Sequence, residues 1–310
     1  MLDKKEFLVL RYSLIEEEQT QISADVLPAL KGMAVLASIQ QDREFTLNGV
    51  QYSFVGFAEA RPSLKSKTEP SRFFLGKFAK LKKTHMGVKV PGDIVETEED
   101  DWIPLLTIFD LKGQYIFIAK DWRFGTPEQT VRAVQGGLRE PVLAKYNYRV
   151  FVEGKTRGEL FWKVVSQHKK IYKLELKLIS PNILETNLRA REALAALKQL
   201  FAQDQVNIVL NNESGQLRVP TEPVGSYLEY IEQGEGNWAL TTEGAHGGKK
   251  KHTSSENIET ATLEVDTEGE ADASTQLNLE PSPNEDGVFL SPDSTVIDQV
   301  LKEIDSYSER

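Results

Sequence analysis

The sequence predicts an α+β fold: a mostly antiparallel sheet with packed helices, followed by a disordered acidic tail and a short C-terminal helix. Three observations predict it. Runs rich in Val, Ile, Leu and Phe alternate apolar with polar residues and are joined by tight-turn signals, the pattern of half-buried antiparallel strands. Stretches with helical spacing stand between them, at Thr126–Arg139, Gly158–Gln167 and Asn187–Gln203. Beyond Gly244 the chain turns to Ser, Thr, Glu, Asp and Pro, with scarcely any large apolar residue until Val288; such a composition cannot offset the entropy of ordering the chain.

Taken in order, Glu6–Ile15 reads as a strand and Ile22–Ile39 as a helix weakened by Pro28 and Gly32. Asn48-Gly49 supplies the positive φ angles of a tight turn, so Glu44–Leu47 and Val50–Ala58 should pair. Arg61–Lys89 opens as a loop around Pro62–Pro70 and becomes a strand with a basic end; Pro91–Asp101 reads as an acidic loop. Ile103–Asp110 and Gln114–Ala119 form a hairpin around Leu111-Lys112-Gly113. The helix from Thr126 ends at Gly136-Gly137 as a C-cap, and Tyr146–Val152 returns as a strand. Ile171–Ile179 and Val206–Leu210 are extended, Asn211–Gly215 turns into a further strand ending at Val219, Gly225–Gln233 fits strand or helix, and Asn237–Thr241 fits a last edge strand. These elements give a body over 1–245, divisible near 1–101 and 102–245. A linker at 246–290 and an amphipathic helix at 291–310 follow. In that helix Val296, Ile297, Val300, Leu301 and Ile304 make one stripe after a Ser291-Pro292-Asp293-Ser294 cap.

Charge is divided unevenly. Residues 251–310 hold 15 acids against 3 bases, whereas 1–250 hold 32 acids against 34 bases, so the net −10 belongs to the tail. Cysteine is absent, which removes disulfides, thiol nucleophiles and thiolate metal sites. With no long apolar run, the expectation is a cytoplasmic protein without membrane insertion.

Two constellations are candidates for function. Lys65, Lys67, Arg72, Lys77, Lys80, Lys82, Lys83 and Lys89 surround Phe73, Phe74 and Phe78, so the cations could neutralise phosphates while the rings stack on bases. The plain alternative is a strand with a solvated lysine face and phenylalanines in the core. Arg149, Lys155, Arg157, Lys163, Lys169, Lys170, Lys173 and Lys177 form a second basic cluster. Asp110 with Glu175 and Lys177 has the residue types of a metal-dependent nuclease, in which two carboxylates hold magnesium and a lysine assists the attacking water. The plain alternative is an aspartate at a hairpin turn and an alternating strand. The scattered histidines show no metal-ligand spacing, and neither a cofactor nor a metal site is expected. The C-terminal stripe fits docking on a partner, autoinhibition through the acidic tether, or folding back on the body.

The strand Pro104–Phe109, the Asp/Gly turn after it, the helix start Gly125-Thr126-Pro127-Glu128, the strand end Val152-Glu153-Gly154 and the Leu/Lys strand Lys173–Leu178 resemble, in layout over Phe7 to Ile179, phage-exclusion and phage-defence proteins of the RexA type. That resemblance implies a DNA-binding, self-associating sensor acting with a partner effector. The long acidic C-terminus departs from it, and no catalytic residue carries over. The leading expectation is therefore a non-enzymatic, DNA-associated defence component, a homo-oligomer that recruits its effector through the C-terminal helix. A protein-interaction adaptor without nucleic-acid binding and a metal-dependent nuclease are the alternatives.

Overall fold

Strand β1 (Leu2–Glu16) is the spine of the larger of two antiparallel sheets. The computed structural model describes residues 2–16, 32–40, 42–63, 72–179, 197, 201, 203–244, 247–266 and 292–308. β1 is apolar at both parities because it is buried on both faces. Leu8, Leu10, Tyr12 and Leu14 enter one core, and Phe7 and Val9 enter a second. The remaining strands of this sheet are β2 (Arg43–Leu47), β3 (Val50–Ala60), β4 (Phe73–Val90), β5 (Asp93–Asp110), β6 (Tyr115–Ala119), β7 (Tyr148–Gly154) and β12 (Thr260–Asp266). Their order is β12-β1-β6-β5-β4-β3-β2, with β7 also on β1. The second sheet, ordered β11-β10-β8-β9, holds β8 (Ile171–Ile179), β9 (Gln205–Asn211), β10 (Gly236–Glu243) and β11 (Lys249–Thr253).

Helices cover the faces. α1 (Gly32–Ile39) and α2 (Pro127–Tyr146) close the first core. α3 (Gly158–Gln167) and α4 (Thr221–Glu232) pack on the second sheet through Phe161, Val224, Leu228 and Ile231. α5 (Pro292–Ser308) closes the remaining face of the large sheet. The α+β, mostly antiparallel architecture and the C-terminal helix are as expected from the sequence.

Local chemistry accounts for several joints. Asn48 and Gly49 have φ of 51° and 78°, and Leu47 pairs Val50 across them. Thr126 caps α2 in a capping box with Gln129, Pro127 occupies the first turn, and Asn147 ends the helix at φ 56°. Gly136 and Gly137 therefore lie inside α2 rather than capping it. A Cβ on Gly137 would stand 2.6 Å from the Phe45 and Phe54 rings, so the glycine admits the β2–β3 hairpin against the helix.

Other expectations are corrected. Pro91–Asp101 is not a loop: Pro91-Gly92 makes a tight turn and Asp93–Asp101 runs as strand, paired without a slip from Val90↔Asp93 to Phe73↔Asp110. The division near 101/102 thus falls inside β5. Residues 249–253 and 260–266, assigned to a disordered linker, are strands in the two sheets. Alternation of Ala261, Leu263 and Val265 buries one face of β12 and explains its place beside β1. Gly225–Gln233 belongs to α4. Asn237–Thr241 is interior, not an edge, because β11 covers it. Gln216 makes one bridge to Ile171 in place of a strand to Val219. Of the helix expected over Ile22–Ile39, Gly32–Ile39 is formed, and its earlier part, with most of Asn187–Gln203, lies outside the described residues.

The C-terminal stripe is seated on its own body. Val296, Ile297 and Val300 are 5%, 0% and 0% exposed, with Leu301 and Ile304 packed beside them. The Gln299 side-chain amide acts as a mock strand: its Oε1 accepts the Glu264 N–H at 2.8 Å and its Nε2 donates to the Glu264 carbonyl at 3.2 Å. Of docking on a partner, autoinhibition and folding back, the structure takes folding back. A stripe so buried is not a docking face for an effector.

The two sheets meet through buried charge. Arg11 donates to the Gln233 carbonyl at 2.7 Å and lies 3.7 Å from Glu235. Glu259 faces Arg157 at 2.9 Å and Lys155 at 3.6 Å, and Lys155 stands over the Tyr307 ring of α5. Glu153 accepts from both Lys177 and Asn237. Burial, with Glu259 and Glu303 nearby, pushes the Tyr307 hydroxyl well above the usual phenol range.

Candidate nucleic-acid interface

The basic segment of β4 does not form a cationic surface. Its distal half projects with β5 as a two-stranded ribbon, and the register places Lys82 opposite Asp101, Lys83 opposite Asp100 and His85 opposite Glu98. Lys83 Nζ lies 3.1 Å from Glu98, whose carboxylate raises the lysine pKa. From Lys82 to Asp101 there are three lysines against six acids, so the ribbon is net negative. Arg72 is spent on Asp110 in a bidentate pair at 2.8 and 2.7 Å, and Lys80 donates to the Phe124 carbonyl at 2.6 Å. Lys77 and Lys89 are exposed. Lys65 and Lys67 lie outside the described residues. Phe73, Phe74 and Phe78 are core residues, unable to stack on a base.

The nuclease candidates are not brought together. Asp110 is fully buried in the large sheet, where it holds Arg72 and accepts the Lys112 N–H at 3.0 Å to shape the β5–β6 turn. Glu175 and Lys177 are in the second sheet. Lys173 at 2.5 Å, with Lys251 at 3.3 Å, holds the Glu175 carboxyl below its usual range, and Lys177 faces Glu153. No cluster of three His, Asp or Glu able to hold a metal occurs among the described residues.

A cationic surface does form elsewhere. Folding β11 onto β10 places Lys249 opposite Glu243 and Lys251 opposite Thr241, while Thr241 pairs Lys173 on its other side. The Glu243 N–H donates to the Lys170 carbonyl, and the two side chains pair at 2.7 Å. One end of the sheet thereby carries Lys169, Lys170, Lys173, Lys249, Lys250 and Lys251 against Glu175 and Glu243. Five of the six lysines are exposed, and Lys173 is half-buried. At its margin the His168 and His252 rings are 5.0 Å apart, and His252 Nε2 meets the Thr242 hydroxyl at 3.0 Å. Burial, with His168 and Lys250 nearby, lowers the His252 pKa.

Lys170 and Lys173 were visible as part of the second basic cluster, but Lys249–Lys251 were assigned to the start of the tail. The signal that would have placed them is the alternation at 260–266: a strand there requires the preceding residues to return to the body. No helix among the described residues is long and apolar enough to cross a membrane. Comparison with protein-family models, curated proteins and solved structures returned no match.

Proposed function

We propose that the protein is a non-catalytic binder of nucleic-acid backbone that holds phosphates on the lysine edge of the second sheet. The observation that carries this reading is the convergence of six lysines from β8, β11 and the turn before β8 on one sheet end, in a chain whose net charge is −10. Backbone binding needs exposed, closely spaced cations rather than a deep pocket, and it carries little sequence preference. In the phage-defence setting that the RexA-type layout implies, such an edge would tether the chain to DNA while a partner effector acts.

The test is fluorescence anisotropy with labelled DNA over a salt series, using the full chain. Affinity is expected to fall steeply with salt. Lys249→Glu with Lys250→Glu and Lys251→Glu should remove binding or reduce the log–log salt slope by about 3. Lys82→Glu with Lys83→Glu should change little, because the ribbon that carries those lysines is already net negative. Unchanged binding in the β11 variant would overturn the assignment of the site.

The same titration has a pH dependence. His252, whose pKa is lowered chiefly by burial, gains its charge only below the ordinary histidine range. Binding should therefore tighten on acidification below that range, and His252→Gln should flatten the response. A group whose folded pKa is lowered binds its proton more readily when unfolded. Below the ordinary histidine pKa this residue therefore also costs folding stability.

A second reading, protein interaction without nucleic acid, is favoured by the ribbon tip, where Met86, Val88, Ile94 and Val95 are exposed. It becomes the better account if the full chain fails to bind DNA at low salt.

A further inference from the structure

We propose that β9 is a self-association edge, at which two copies of this chain join by antiparallel β9–β9 pairing about a two-fold axis through Ile208. β9 ends the second sheet, and among the described residues no strand pairs with its outer side. Its sequence, Gln205-Val206-Asn207-Ile208-Val209-Leu210-Asn211, contains no charge, proline or glycine, and Val209 and Leu210 are 47% and 42% exposed. Exposed edges are normally blunted by charge, proline or a covering element. The other sheet ends obey this rule. β2 carries Arg43 and Glu44, β11 carries three lysines, and the Gln299 amide caps β12. Among the described residues β9 has no such device, and the charge at its entry, Asp204, is neutralised by Arg149 at 2.5 Å.

The occupant follows from the order of residues. A two-fold axis at Ile208 sets Ile208 against itself, Val206 against the second copy's Leu210, Asn207 against its Val209 and Gln205 against its Asn211. Aliphatic side chains meet on the face shared with Leu174, Leu176 and Leu178, amides and Val209 meet on the open face, and no like charges oppose. Such an isologous contact closes at two subunits instead of growing into a fibre. The product is one eight-stranded sheet with a lysine edge at each end. Seven strand spacings place those edges about 34 Å apart, close to one turn of duplex DNA. This last consequence rests on the proposed phosphate site; the dimer itself does not.

Analytical ultracentrifugation of the full chain without nucleic acid tests the edge. The wild type should show a monomer–dimer equilibrium. Asn207→Lys with Val209→Lys opposes lysine to lysine twice across the axis and should be monomeric with unchanged circular dichroism. Asn207→Glu with Val209→Glu should likewise be monomeric, and an equimolar mixture of the two should recover the dimer. Because the chain has no cysteine, Ile208→Cys should also form a disulfide-linked dimer on oxidation. A wild type that stays monomeric at every concentration overturns the proposal, as does a dimer undisturbed in both charged variants. Loss of DNA binding in the β11 lysine variant with the dimer intact would concern the phosphate site alone.

Discussion

Ile297→Asp is expected to undock α5 and lower the thermal midpoint of the full chain by roughly 5–10 °C, corresponding to about 3 kcal/mol. The wild-type side chain is fully buried against a core that includes Phe7, Val9, Phe73, Phe117 and Leu263. Aspartate forfeits that burial and would have to desolvate a charge there, so the loss stops only at the cost of releasing the helix. Release bares one face of the large sheet, which a rise in fluorescence of a hydrophobic dye would report. Ile297→Val, which removes one methylene, should cost only about 0.5–1.5 kcal/mol. An aspartate variant as stable as the wild type, with no added dye binding, would show that the helix is not part of the folded core. Ending the chain at 245 should be worse, since it removes β12 as well as α5 and exposes β1 along Leu2–Leu8. The protein is thus not a body with a dispensable tail.

The second large effect is expected at Glu259, whose carboxylate sits between Lys155 and Arg157 and ties the segment after β7 to the one before β12. The glutamate side chain is 5% exposed and that of Lys155 12%. Removing one member of a buried pair leaves the other's desolvation uncompensated, so Glu259→Ala should cost about 3–5 kcal/mol. The decisive comparison is with Glu259→Leu combined with Lys155→Met. If the penalty is an uncompensated charge, the apolar pair should recover most of it, and urea denaturation would read this as a midpoint returning toward wild type. Equal destabilisation in both would mean that the side-chain contacts around Glu259, not its charge, hold the junction. Arg157 would lose its main partner in either variant, since Glu259 is what raises its pKa.

Much of the fold could be read directly because its determinants are local. Asn48-Gly49 sets a hairpin by itself, Thr126 and Gln129 set a helix start, and alternation along Ile171–Ile179 sets a strand whatever lies around it. Readings failed where the answer depended on partners distant in sequence. Gly136-Gly137 resembles a helix end until Phe45 and Phe54 are brought against it. Asp93–Asp101 resembles an acidic loop until lysines of β4 stand across from it and supply a partner strand. The candidate site moved for the same reason. A run of cations attracts phosphate only where it outnumbers the anions beside it, and neighbours across a sheet are chosen by register.

What the sequence determined by itself is the class of structure and most element positions, because backbone propensity, capping and side-chain alternation act within a few residues. The tertiary structure decided that the β4 lysines face acids, that Lys249–Lys251 join Lys170 and Lys173, and that the terminal helix is core. Each of those outcomes depends on strand register or on a buried face, and both are set by the pairing of segments far apart in the chain.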